Sequence, residues 1–158
     1  MDSFTDAIFH GFSVKFLGLL VDDTLSWDQH VNQLASKLSF ACYAIWTLTP
    51  LLSKNAIRML YFSYAHSVIS YGIIFWGNSS NSIKIFKQQK KILRIMTDSK
   101  KTESCRKLFK EMKMLPFYCQ YILSLCNCNC NLFAFHKSRL GYNPEDMDIV
   151  SYILSNII

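Results

Sequence analysis

Residues Ile83–Thr97 carry the clearest helical pattern in the chain. When they are placed at about 100° per residue, the apolar positions and Gln89 fall on one side, and most of the cations fall within an arc of about 80° on the other. The apolar side holds Ile85, Phe86, Gln89, Ile92, Leu93 and Met96, and the basic side holds Lys84, Lys87, Lys91 and Arg94, with Lys90 at its margin. The pattern predicts a helix that packs on a core and exposes a row of cations.

Positive charge is concentrated in this part of the chain. Residues 84–113 contain 11 of the 17 Lys and Arg residues but only three acids, so the formal net charge of +6 is local. The basic residues after the predicted helix are Lys100, Lys101, Arg106, Lys107, Lys110 and Lys113. A local basic surface is typical of a site for a polyanion. It is equally typical of a solvated face that keeps a protein soluble.

Length and composition indicate one folded domain. The chain has 158 residues, of which 51% are hydrophobic and 15% aromatic, with only 5 Gly and 3 Pro, so disorder is excluded. Asp2 and Asp6 argue against a secretory signal, which predicts an intracellular protein of the nucleus or cytoplasm, not a secreted one. The six cysteines are therefore expected to be reduced thiols, with no disulfide framework.

The hydrophobic pattern predicts a mainly α fold: a helical bundle of about four to five helices, preceded by a short β-strand or hairpin. Residues 13–21 favour a strand with a bulge or a close backbone approach at Gly18, and Asp22 and Asp23 favour a turn bonded to its own backbone. Ser26 to Gln29 matches a capping box. The predicted helices cover residues 27–49, 54–70, 83–97, 104–112 and 117–135, the second being capped by Ser53 and the central, buried one. Residues 73–76 are predicted to form a short apolar connector.

Two apolar segments and a group of cysteines could indicate a membrane protein or a metal site. Residues 59–83 and 114–136 lack charged side chains and are long enough to span a bilayer, but polar residues and glycines interrupt them, which favours buried helices over membrane spans. Cys126, Cys128, Cys130 and His136 lack the paired spacing of zinc ligands, so all six cysteines are expected to be buried thiols. We predict no metal site and no cofactor.

The order of several short motifs resembles the junction of palm and thumb in reverse transcriptases of non-LTR (LINE, jockey-like) retrotransposons. The resemblance covers roughly residues 13–125. It is carried by residues 14–18 (VKFLG), Asp22, 25–27 (LSW), His30, Leu34, Lys37, Leu38, 71–73 (YGI), 75–80 (FWGNSS), 89–95 (QKKILRI), 104–111 (SCRKLFKE) and 114–116 (MLP). It implies a residual palm-edge strand and turn in residues 1–25, a helical thumb-like domain in residues 26–136, and a C-terminal tail of unassigned role in residues 137–158.

The resemblance also implies a function. Phe16, Leu17 and Gly18 match the primer-grip motif. The family's catalytic aspartates lie on the palm, upstream of the part matched here, so the chain alone is expected to bind nucleic acid without catalysis. The expected partners are an RNA–DNA or DNA duplex, bound without sequence preference, and the missing palm domain, with no small-molecule substrate. The nucleic-acid-binding residues would be Lys84, Lys87, Lys90, Lys91, Arg94, Lys100, Lys101, Arg106, Lys107 and Lys110. The alternatives are a helical interaction module and a small membrane protein.

Overall fold

The computed structural model describes residues 13–100 and 102–127. These residues form a mainly helical structure with a two-stranded hairpin before the helices, which confirms the predicted fold class. The strands are β1 (Ser13–Phe16) and β2 (Leu19–Asp22). The helices are α1 (Asp28–Leu48), α2 (Lys54–Leu60), a π-helix (Tyr61–His66), α3 (Ser67–Ser70), α4 (Ile73–Trp76), a 3₁₀ turn (Ser80–Ser82), α5 (Ile83–Thr97), α6 (Cys105–Glu111) and α7 (Phe117–Asn127).

The hairpin turns at Leu17 and Gly18. β1 and β2 pair antiparallel, from Ser13 opposite Asp22 to Phe16 opposite Leu19. The two turn residues have φ of 47° and 81°, and positive φ at both central positions is the requirement of a type I′ hairpin turn. A bulge at Gly18 is therefore wrong, because Gly18 lies in the turn and not inside one continuous strand. The other expectation, a close approach, finds only ordinary contact: a Cβ on Gly18 would lie 3.6 Å from Tyr71 Cε1.

Replacing Leu17 by asparagine is expected to stabilise the protein by about 1 kcal/mol, because a left-handed backbone costs about that much for a leucine and less for an asparagine. Leu17 is 72% exposed, so little burial is lost. Urea denaturation followed by circular dichroism measures the change. Val14→Asn, on an exposed strand position, is the control and should not stabilise. A less stable Leu17→Asn variant would show that the leucine side chain makes contacts worth more than the backbone strain.

Asp22 organises the link between the hairpin and α1. Its carboxylate accepts hydrogen bonds from the Ser26 hydroxyl and, at 3.4 Å, from the Trp27 amide. These bonds, the Ser26 bond first, lower the pKa of Asp22. The turn bonded by its own aspartate is thus confirmed. The capping box is wrong: Asp22 engages Ser26, and Trp27, with φ 63°, stands at the helix cap without a side-chain bond to the helix.

The helix over residues 54–70 is continuous but is not the central one. Ser53 caps it as expected, accepting from the Ala56 amide at 3.3 Å. Only one stripe is buried, comprising Ile57, Tyr61, Ala65 and Ile69, and Met59 on the other side is 67% exposed. The central position belongs to α5, which packs against α1, α2, α6 and α7. The apolar residues on the outer side of residues 54–70 therefore face away from the core.

Trp76 lies where the hairpin end of the molecule meets α7. The predicted connector at residues 73–76 is the one-turn helix α4, and its Trp76 is completely buried. No helix among the described residues is both long enough and apolar enough to cross a bilayer.

Candidate nucleic-acid interface

The basic helix α5 has the predicted bounds and the predicted inward face. Ile85, Gln89, Ile92, Leu93 and Met96 are buried, as expected. On the opposite side Lys84, Lys87 and Lys91 are exposed, and Arg94 is partly buried. The amphipathic pattern therefore positions four cations along one outer edge, which we call the basic row (Lys84, Lys87, Lys91 and Arg94).

Helices α1 and α5 lie side by side and run in the same direction. Lys84 Nζ donates to Asn32 Oδ1 at 2.9 Å near the start of both helices, and Gln88 Nε2 donates to Ser39 Oγ at 3.1 Å further along. Near their carboxyl-terminal ends, residues of both helices line one groove. The basic row thus borders the seam between the two helices for its full length, about 15 Å at 1.5 Å per residue.

The groove at the far end of this seam, which we call the α1/α5 groove, has a volume of about 1190 Å³. Its lining residues are Trp46, Thr47, Thr49, Pro50, Lys91, Arg94, Ile95, Asp98 and Ser99. Trp46 is 62% exposed. Arg94 Nε is buried and has no hydrogen-bond partner among the described residues. The groove therefore combines an aromatic surface with two cations and one carboxylate, that of Asp98.

The remaining basic residues lie on the other side of α5. Lys90 Nζ lies 4.4 Å from the centroid of the Phe86 ring, and Phe86 itself contacts Phe109 of α6. Arg106, Lys107 and Lys110 are on α6, which packs against α5, and Lys100 is exposed in the turn between the two helices. Lys101 lies outside the described residues. Among the predicted cations, those of the basic row thus lie together along α1, whereas those of α6 lie apart from them.

The primer-grip-like residues lie at the hairpin turn, where Phe16 is 64% exposed and Leu17 is also exposed. The Tyr71 hydroxyl donates to the Leu17 carbonyl, and a Cβ on Gly72 would lie 2.8 Å from Leu19 Cδ2. Two motifs of the sequence resemblance, Phe-Leu-Gly and Tyr-Gly, are therefore in contact although more than 50 residues separate them.

The hairpin and the α1/α5 groove lie at opposite ends of α1. The Leu20 amide donates to His30 Nδ1 at 3.3 Å, near the start of α1, whereas Trp46 lies 16 residues further along the same helix. This corresponds to about 24 Å at 1.5 Å per residue. Burial lowers the pKa of His30, so its ring stays neutral and accepts this bond. The histidine therefore anchors the hairpin to α1.

The part of the chain that the structure describes holds no cluster of three or more His, Cys, Asp or Glu residues. Cys42 and Cys119 are buried and Cys105 is half-buried. Burial raises the pKa of the Cys42 thiol, which keeps it protonated and unreactive. The prediction of a buried thiol is wrong for Cys126, which is exposed near the end of α7. Cys128, Cys130 and His136 lie outside the described residues.

In the sequence, Trp46 and Tyr43 lie at helical spacing, where aromatic residues could stack on bases but more often belong to a core, and the core role was expected. The structure leaves Trp46 62% exposed, so the expectation of a core residue is wrong for it. It lies beside the inward stripe of α1, and its position next to Lys91 and Arg94 depends on the pairing of α1 with α5. The position of Trp46 at the margin of the apolar stripe did not reveal its exposure, since tryptophan is usually largely buried.

Comparison with protein-family models found no match, and comparisons with curated proteins and with solved structures found none either. The fold and the site define a helical protein with a one-sided cationic edge and an aromatic groove at its end. Any functional assignment therefore rests on these residues and on the order of the sequence motifs.

Proposed function

We propose that this chain is the thumb part of a non-LTR retrotransposon reverse transcriptase, and that its basic row binds the backbone of a primer–template duplex inside the cell. The observation that carries the proposal is the alignment of Lys84, Lys87, Lys91 and the partly buried Arg94 along one outer edge of α5. Within residues 13–100 and 102–127, no carboxylate forms an ion pair with Lys87, Lys91 or Arg94. These charges are therefore available to phosphates.

The length of the basic row suits one strand of a duplex. Phosphates advance by about 3.4 Å per nucleotide along the axis of each strand, so a row about 15 Å long passes four to five of them. Contacts of this kind fix the position of a duplex and carry no sequence information. The expected binding is non-specific and strongly dependent on salt.

The hairpin supports the same proposal. Leu17 keeps a left-handed backbone that asparagine or glycine would adopt at lower cost, and local strain of this kind concentrates at functional sites. The exposed Phe16 and Leu17 would contact the primer end, and the α1/α5 groove would lie about seven base pairs further along the duplex. Asp22 is engaged by Ser26 and Trp27 in its own turn, and we expect no polymerase activity from this chain alone.

Fluorescence anisotropy with labelled blunt DNA and RNA–DNA duplexes tests this proposal. If about five cations meet phosphates, a plot of log K against log salt concentration on DNA has a slope of about −4 to −5. The double variant Lys87→Gln, Lys91→Gln removes two of these contacts, so the slope becomes shallower by about 1.8 and the affinity at low salt falls at least tenfold.

The matched control removes two charges away from the basic row. Lys37 and Lys54 are both exposed, on α1 and at the start of α2, and neither lines the seam between α1 and α5. The variant Lys37→Gln, Lys54→Gln has the same net charge as the test variant and should keep the wild-type slope within about 0.5. Equal losses in both variants, or no binding by the folded wild-type protein at low salt, would contradict the proposal.

A helical interaction module is the second candidate function. Exposed apolar side chains away from the basic row favour it, notably Leu51, Met59 and Phe75. This function predicts a protein that is indifferent to nucleic acid at any salt concentration. The anisotropy titration therefore discriminates between the two candidates in one experiment.

A further inference from the structure

The wall of the α1/α5 groove carries an aromatic surface suited to stacking. Trp46 lines the groove and is 62% exposed. Tyr43, one turn earlier on α1 and outside the groove lining, is 64% exposed, and the two ring centroids are 6.1 Å apart with an interplanar angle of 41°. Two rings tilted in this way do not cover each other. Exposed tryptophan is uncommon on protein surfaces, and it is a frequent anchor for ligands with flat apolar rings.

Two cationic side chains, Lys91 and Arg94, line the same groove as Trp46. Lys91 is exposed, and Arg94 Nε is buried in the described part of the protein without an acceptor. A buried N–H group without an acceptor is costly, and an anionic oxygen would satisfy it. Asp98 offsets one of the two charges, so the groove favours a ligand with one or two negative charges together with a flat ring.

The two threonine hydroxyl groups of the groove already donate their hydrogens within α1. Thr47 Oγ1 donates to the Tyr43 carbonyl at 3.0 Å, and Thr49 Oγ1 donates to the Ile45 carbonyl at 2.7 Å. Their oxygens can therefore only accept from a ligand. Amino groups on the edge of a nucleobase are donors of the required kind.

We propose that the α1/α5 groove binds an unpaired nucleotide of a nucleic-acid strand, with the base stacked on Trp46 and its phosphate held by Lys91 and Arg94. This proposal rests on the proposed function, because the groove lies at the end of the basic row that would follow the duplex. A base pair inside a duplex is covered on both faces by its neighbours and cannot stack on Trp46, whereas an unpaired base of a single-stranded overhang can. Aromatic surfaces beside cationic grooves are the usual means by which proteins hold single strands.

The test compares a blunt duplex with the same duplex carrying a five-nucleotide single-stranded overhang, by fluorescence anisotropy with the full chain. Stacking of one base is expected to make the overhang substrate bind about 5- to 150-fold more tightly. Trp46→Ala should abolish this advantage and leave affinity for the blunt duplex within twofold. Trp46→Phe, which retains a ring, should restore part of it.

Phe40→Ala is the matched control, because Phe40 is an exposed aromatic residue of the same helix that does not line the groove. It should retain the full overhang advantage. Equal affinity of the wild-type protein for both substrates would overturn this proposal and leave the proposed function intact. A Trp46→Ala variant that weakens binding of both substrates equally would overturn it in the same way. Failure to bind either substrate would overturn both proposals.

Discussion

Replacing Trp76 by alanine is expected to lower the free energy of unfolding by about 3–5 kcal/mol, the usual cost of removing a fully buried large aromatic side chain. Trp76 is completely buried, and its indole Nε1 donates to the Tyr71 carbonyl at 3.0 Å. The ring stacks on Phe117 with centroids 5.6 Å apart and meets the edge of His30 at 5.9 Å. One side chain thus joins α4 to α1 and α7.

The loss of stability should exceed the amount expected from the buried apolar area alone, because α4 is a single turn. A helix of four residues has almost no stability of its own, so its position depends on the packing of Trp76. His30, which holds the hairpin through the Leu20 amide, would lose its neighbour at the same time. We therefore expect the hairpin end of the protein to loosen together with α4.

Urea denaturation followed by circular dichroism at 222 nm measures this prediction. Trp46→Ala is the control, because Trp46 is largely exposed and its removal should change stability by no more than about 0.5 kcal/mol. Trp76→Phe should fall between the two, since it keeps a ring against Phe117 but leaves the Tyr71 carbonyl without its donor. A Trp76→Ala variant as stable as Trp46→Ala would contradict the packing described here.

Local patterns predicted the basic helix well. The bounds Ile83–Thr97 and the buried side of α5 are as predicted, because the helical period of this segment places its apolar residues on only one face. The end of α1 just before Thr49 and the Ser53 cap were also readable, since both depend on neighbours within four residues. The placement of cations on an exposed face follows from the same periodicity.

The predictions for the hairpin and for the cap of α1 were wrong, although both features also depend on residues close together in the sequence. Leucine is an unusual residue for the first position of a type I′ turn, so residues 13–21 read as one strand. The Ser26 hydroxyl donates to the Asp22 carboxylate, and its oxygen accepts from the Asp28 amide at 3.4 Å instead of from the Gln29 amide that a capping box requires. Both outcomes depend on backbone geometry that residue types alone do not specify.

The burial of residues 54–70 was overestimated because their apolar residues are numerous on both sides of the helix. The π-helix Tyr61–His66 keeps the buried positions of this segment in line. In an α-helix, positions four residues apart rotate by about 40° at each step, whereas the wider turn of a π-helix reduces that drift. Positions 57, 61, 65 and 69 therefore stay on one buried line, and Met59 remains outside.

The α1/α5 groove could not be predicted from periodicity. It requires that α1 and α5 run in the same direction and meet at their carboxyl-terminal ends, which is information about tertiary pairing. The sequence shows an aromatic residue at the edge of α1 and cations on α5, about 45 residues apart, and no spacing rule connects them.

Replacing Gln89 by leucine is expected to lower the free energy of unfolding by about 3 kcal/mol, because it removes three buried hydrogen bonds at the centre of the protein. Gln89 is completely buried on α5. Its Nε2 donates to Tyr61 Oη and to the Leu115 carbonyl, both at 2.9 Å, and its Oε1 accepts from the Phe117 amide at 2.8 Å. One amide side chain thus connects α5 to the π-helix and to the start of α7.

The three groups that form hydrogen bonds with Gln89 would be affected to different degrees by its replacement. The Leu115 carbonyl also accepts from Gln120 Nε2 at 2.7 Å, so it keeps one bond. The Phe117 amide at the first turn of α7 loses its acceptor and is buried, which is the costliest consequence. Burial raises the pKa of Tyr61 to about 12, so the phenol stays neutral and cannot compensate by ionising near pH 7.

Gln88→Leu is the matched control on the neighbouring residue. Gln88 Nε2 makes one bond, to the exposed Ser39, and its Oε1 is buried without a partner, so replacement should cost no more than about 0.5 kcal/mol. Urea denaturation of both variants at pH 7 gives the difference. Equal stability of the Gln88→Leu and Gln89→Leu variants would contradict the connecting role of Gln89.

Gln89→Glu gives an independent test through pH. A carboxylate at this site would accept from the Phe117 amide but would face the Leu115 carbonyl, an acceptor, in a buried position. Burial raises the pKa of such a carboxyl in the folded state above its unfolded value of about 4.3. The unfolded form therefore binds fewer protons than the folded form above pH 4.3, and the stability of this variant, relative to wild type, falls as the pH rises from 4 to 7. A variant whose stability follows wild type across that range would show that position 89 is hydrated and would remove the basis for the connection between α5 and α7.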